Sequence, residues 1–138
     1  PLSVGIPVDY ISDQNLRLSL YRRIADINDE TEVTSMEDEF QDRFGELPEA
    51  VKNLMFQIRV KLLAEQIGLS TVNLEGSQIV LRFPPLPEGV QARDLPFINK
   101  EVRSGKNAYW LAFHPENEKW KSNLLQILSD IINVCRKY

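Results

Sequence analysis

The sequence holds one histidine and one cysteine, and neither stands where chemistry needs it. His114 precedes Pro115 at the end of the aromatic run NAYWLAF, residues 107–113. Base catalysis requires a positioned partner, and none is offered by the spacing, so His114 reads as a strand-end residue. Cys135 lies one turn from the C-terminus with no histidine at a recognisable spacing, and it reads as a small apolar side chain. CxxC, HxxxH and HExxH do not occur, which leaves a zinc ion without a ligand set. Phosphate-cradling GxxxxGKS, GxxxxGKT and GxGxxG loops are absent as well. Carboxylates are plentiful, but a catalytic pair needs a pocket, and these fall on solvated helix. Tyr109, Trp110, Phe113 and Trp120 could stack on bases. Single-strand binders interleave such rings with a basic groove, which is missing here, so the rings read as core. No catalytic, cofactor-binding or metal-ligating residue is expected in this chain.

One concentration of charge is less ordinary. Residues 28–49 hold nine acids (Asp29, Glu30, Glu32, Glu37, Asp38, Glu39, Asp42, Glu46 and Glu49) against a single cation, Arg43. Glu39 and Asp42 stand at i, i+3 and project side by side from one helix surface, at a cost of about 0.2–0.5 kcal/mol for such a pair. The bland reading is a soluble face. The functional reading is a docking surface for a basic partner, where complementary fields speed encounter and set register. Net charge is −4, which disfavours nonspecific attachment to nucleic acid through the field of the whole chain.

The elements that would position these residues follow from period and punctuation. Residues 1–12, with Pro1, Gly5 and Pro7, read as an extended lead-in. Asp13 caps a first helix with Leu16, Leu20, Ile24 and Ile27 along one face. A second helix follows Thr31 and places Val33, Met36, Phe40 and Phe44 inward until Gly45 stops it. A third starts near Pro48, turns Val51, Leu54, Ile58 and Leu62 inward and ends at Gly68. The period then changes to two: VNLEGSQIVLRF is a β-hairpin around Gly76-Ser77. Prolines 84, 85 and 87 break the ladder. A short helix is expected between Val90 and Val102, then a strand at 107–113, then a last amphipathic helix over 116–138. Its inward residues would be Trp120, Leu124, Ile127, Leu128 and Ile131. The order ααα-ββ-α-β-α predicts an α+β fold, with a helical N-terminal half followed by a small sheet packed with helices. At 138 residues one domain is expected, and no stretch approaches the length of a membrane span. With no leader sequence and no initiator methionine, the chain reads as a cytoplasmic fragment of a longer protein.

The residues quoted so far add up to a family resemblance. DRFGELPEAVKNLM (42–55) resembles the helix–turn–helix signature of the C-terminal domain of bacterial transcription-repair coupling factors, the Mfd family. LRLSLYRRIADINDETEV, the entry IPVDYISD and KLLAEQIGLSTVNLEG are similar to the same family, so the resemblance runs from about Pro7 to Gly76. Beyond the hairpin it is one of element order and length.

The resemblance implies a parent that is an ATP-dependent double-stranded DNA translocase, dislodging stalled RNA polymerase and recruiting UvrA. Its ATP- and Mg-binding motor lies upstream, so residues 1–12 would be a linker from that motor and 13–138 a single regulatory domain. This domain would autoinhibit the parent by docking on its N-terminal UvrB-like module, in competition with UvrA. Glu39 and Asp42 stand at the matching places for that contact and are favoured over Glu46 and Glu49, while Arg43, Phe44, Gly45 and Pro48 would build the turn. The rival reading is a nucleic-acid-binding accessory module, with Arg17, Arg22 and Arg23 of the first helix beside Lys52, Arg59 and Lys61 of the third. A scaffold without a regulatory role is the third.

Overall fold

The computed structural model describes residues 3–87, Gly89 and 95–135. Their elements run α1 (Gln14–Ala25), α2 (Glu30–Phe44), α3 (Glu49–Ile67), β1 (Thr71–Glu75), β2 (Gln78–Arg82), β3 (Val102–Ser104), β4 (Ala108–Ala112) and α4 (Trp120–Cys135). This is the expected α+β class, in the order ααα-ββ-ββ-α. The chain divides into two compact units, residues 1–62 and 63–138, each with its own packing.

In the first unit the capping chemistry does what the sequence demands. The Asp13 carboxylate accepts from the amides of Asn15 and Leu16 to open α1, and that of Asp29 accepts from Glu32 to open α2. Glu32 reaches back to the Asn28 amide, so a second spare donor is met at the same end. Gly45 ends α2 at φ 90°, a left-handed conformation that a Cβ would strain. The Pro48 carbonyl then accepts from Val51 and Lys52 as α3 begins. Leu20, Ile24 and Ile27 meet Val33, Met36 and Phe40, with Val51, Met55 and Leu62 of α3, in one apolar cluster. Leu16, Phe44, Leu54 and Ile58 pack against it half-buried, so the expected α3 stripe faces the cluster, with Val51 and Leu62 fully in it and Met55, which was not expected, buried beside them.

The lead-in is packed, and it is not extended throughout: it turns over residues 8–10, where the amides of Tyr10 and Ile11 donate to the Pro7 carbonyl. Ile6 and Ile11 are buried in the same cluster. The Gly5 amide donates to the Ala50 carbonyl and the Ile6 amide to the Tyr21 hydroxyl at 2.7 Å.

In the second unit the sheet is antiparallel throughout, with strand order β1-β2-β4-β3. Gly76 at φ 62° and Ser77 make the two-residue hairpin loop between Glu75 and Gln78. The expected third strand is present as β4. β3 was not expected: it pairs with β4, and only its first residue, Val102, falls at the end of the expected short helix. Three residues, Val102, Arg103 and Ser104, are too few for an alternation to be read. Residues 95–101 carry no helix, and 90–94 lie outside the described residues. Leu124, Ile127, Leu128 and Ile131 of α4 are buried as expected, while Trp120 is half-buried against Phe113. The helix starts at Trp120, not 116, because residues 115–119 turn first. The Asn117 amide donates to the His114 carbonyl, and the Asn117 side chain accepts from the Lys119 amide. The predicted tail of α4 at 136–138 and the Cys135 side chain lie outside the described residues.

Candidate functional site

The last turns of α2 and the Gly45 turn carry the residues singled out from sequence. Three aromatic rings make the platform beneath them. Tyr10, Phe40 and Phe44 meet edge to face, with centroids 5.9–6.4 Å apart. The Tyr10 hydroxyl donates to the Gly45 carbonyl at 2.9 Å, and the Phe40 carbonyl lies 3.2 Å from it. Tyr10 therefore ties the turn to the lead-in. Burial raises the Tyr10 pKa, so the hydroxyl keeps its donor proton.

Arg43 does something else. Its guanidinium lies 5.0 Å from the Phe44 ring centroid and donates back to Glu39 at 2.9 Å, one turn earlier on α2. Glu39 also takes a two-pronged bond from Arg23 of α1, at 2.6 and 2.7 Å. Hydrogen bonds from Arg23, opposed by partial burial and helped by Arg43, hold the Glu39 carboxyl down to about 2. The same bond raises the Arg23 pKa. Glu39 is therefore an anion spent on joining α1 to α2.

The pH dependence follows. The carboxylate is favoured in the folded chain, so its stabilisation is complete above the ordinary value near 4.5 and is lost as pH falls from there toward 2. Glu39→Gln should remove about 1–2 kcal/mol at pH 7, after allowing for solvent screening of the half-exposed Arg23. It should also flatten the fall in stability between pH 4.5 and 2. Urea titrations at several pH values check this, and parallel curves for both chains would refute it.

Asp38, Asp42 and Glu46 are different. All three are exposed, and none of their side chains makes an ion pair or hydrogen bond among the described residues. Asp38 and Asp42 repel at i, i+4, and Asp42 sits in the last turn of α2, where the helix dipole already favours cations. Asp38 was not singled out from sequence, although its spacing from Asp42 gave the signal. Glu49 opens α3, where an acid suits the dipole.

The basic residues of the rival reading are partly committed. Arg59 is bonded to Glu30 and Glu37, Arg23 to Glu39, and Arg17 to the carbonyls of Ile11 and Ser12. Arg22, Lys52 and Lys61 are exposed.

In the second unit Tyr109 is buried with its hydroxyl on the Pro96 carbonyl, and Trp110 takes the Arg103 guanidinium at 4.6 Å. His114 is exposed, with Nδ1 3.4 Å from Glu116. Among the described residues, no group of three or more His, Cys, Asp and Glu is placed to hold a metal ion, and no helix is long and apolar enough to cross a membrane.

Known proteins match this geometry and sequence. The TRCF domain model matches residues 1–91. The transcription-repair-coupling factor of Rickettsia bellii is 42% identical over 82 residues, 59% of this chain and 7% of that protein. That of Mycobacterium tuberculosis is 36% identical over 94 residues, 67% of this chain and 8% of that protein. The chain thus spans less than a tenth of the length of these relatives. A crystal structure of the C-terminal domain of a transcription-repair coupling factor covers 96% of this chain and 89% of its own, with a TM-score of 0.75. At 17% identity, that likeness speaks for the fold. On the match over residues 1–91, the chain belongs to the TRCF domain family.

Proposed function

We propose that this chain is a non-catalytic regulatory domain of a transcription-repair coupling factor. It docks through the C-terminal end of α2 on the parent's UvrB-like module and covers the surface that UvrA would use. In this reading ATP, Mg, double-stranded DNA and RNA polymerase are bound by other parts of the parent. The observation that supports it most is the unrelieved negative charge of Asp38, Asp42 and Glu46 on a rigid aromatic platform. Stability alone would favour a cation at the end of α2, and a basic partner would relieve the repulsion on docking. Glu39, held by two arginines, reaches a partner only by giving one of them up. The contact would be polar and weak for each pair, and tethering within one chain would raise its effective concentration. Such a clamp is releasable.

The test is a calorimetric titration of this chain against the UvrB-like module at low salt, with and without Asp42→Lys/Glu46→Lys. The natural chain should bind, and the reversed chain should lose at least about tenfold in affinity while its unfolding midpoint holds or rises, because a cation suits the end of α2. Equal affinity of the two would remove the acidic end from the contact. Absence of binding by both would remove the docking itself.

A further inference from the structure

The sheet of the second unit ends on two unequal edges. β3 is three residues long and carries the charged Arg103, which suits an edge meant to stay unpaired. β1 is five residues long and has neither proline nor lysine, and its one charge, Glu75, is paired with Arg82.

The ladder fixes which of its backbone groups are spare. The Phe83 amide donates to Asn107 and the Phe113 amide to the Ser77 carbonyl, so odd-numbered residues along β2 direct their peptide groups toward β4. The even-numbered ones face β1. By the register Thr71–Arg82, Asn73–Val80 and Glu75–Gln78, the inward groups of β1 belong to Thr71, Asn73 and Glu75. Val72 and Leu74 direct N–H and C=O outward, where no strand of the described residues lies. Their side chains share a face with Leu81 and Ile79, both buried, yet Leu74 is 44% exposed. The apolar row of the sheet is left open at this edge.

We propose that β1 pairs with β1 of a second copy of this chain, antiparallel and centred on Asn73. The segment TVNLE is self-complementary in that register. Val72 opposes the partner's Leu74, Leu74 opposes the partner's Val72, and Asn73 meets its own mate. The outward N–H and C=O groups of Val72 and Leu74 then close four hydrogen bonds across a two-fold axis, and two four-stranded sheets become one of eight strands. Leu74 is covered by the partner's Val72, which continues the apolar row. A strand this short buries less than the roughly 1,200 Å² of a stable interface, so the dimer is weak, with Kd on the order of 100 μM.

Sedimentation velocity on the 138-residue chain between about 10 μM and 1 mM tests this. The average mass should rise toward that of a dimer. Val72→Pro removes an outward N–H while leaving the bonds to β2, and Leu74→Lys places a charge on the edge. Each should weaken association at least about tenfold with unchanged circular dichroism. A monomer at 1 mM, or association of both variants like the natural chain, would overturn the proposal. The readout needs only this chain, so its outcome is independent of docking on the UvrB-like module.

Discussion

Phe40→Ala should lower the stability of the chain by about 3–5 kcal/mol, the range for truncating a buried phenylalanine. Phe40 is fully buried, and its ring lies edge-on to both Tyr10 and Phe44. Each such pair adds about 0.5–1.5 kcal/mol beyond the area buried. The residues around the gap are held from three directions: the lead-in through Tyr10, the end of α2 through Phe44, and the cluster formed with α1 and α3. A site braced in this way collapses poorly, which places the loss in the upper part of that range. Urea unfolding followed by far-ultraviolet circular dichroism reads it directly, and a loss under about 1 kcal/mol would mean that the platform can close over the cavity. The variant also separates two ways of losing docking. Phe40→Ala would disturb the acidic end of α2 by loosening what lies beneath it, whereas Asp42→Lys/Glu46→Lys would alter charge on an intact support. Only the first should lower the unfolding midpoint.

The helical half was legible because its signals are local. Asp13, Gly45, Pro48 and Gly68 are caps and stops whose effect acts within one turn, and the inward faces of α1, α2 and α4 follow a period that any window reveals. The hairpin was legible for the same reason, since Gly76-Ser77 fixes both strands. β3 was hidden because a three-residue strand exists only through its partner β4. The site was legible as composition and not as geometry. The density of carboxylates over residues 28–49 marked the region, but nothing local says that Glu39 is spent on an arginine sixteen residues earlier while Asp38 and Asp42 are left exposed. Nor does any local rule connect Tyr10 to a carbonyl thirty-five residues later. Ion pairs and hydrogen bonds between elements depend on how helices pack, and the apolar faces determine that first.

Arg59→Ala should cost about 2–3 kcal/mol, the scale of losing hydrogen bonds between charged groups in a partly buried setting. Its side chain is only 17% exposed. It donates through Nη1 and Nη2 to the two oxygens of Glu37 at 2.9 and 2.6 Å, and through Nε to Glu30 at 2.7 Å. Bonds to Glu37 first, and then to Glu30, outweigh burial and raise the Arg59 pKa, so the charge is permanent at any pH of interest. Truncation would leave two carboxylates of α2 facing a gap without a cation, and Glu37 is itself mostly covered. Arg59→Met with Glu37→Leu should recover most of the loss, because an apolar pair removes the stranded charge along with its partner. A double-mutant cycle with Glu37→Gln should give a coupling of about 1–3 kcal/mol. The same residue separates the rival functions. If Arg59 belonged to a nucleic-acid face, its loss would lower the salt slope of DNA binding by about one unit. As the bracket between α2 and α3 it should change the unfolding midpoint and leave that slope where it was. A shallower slope with unchanged stability would turn this arginine from a brace into a phosphate contact and revive the nucleic-acid reading.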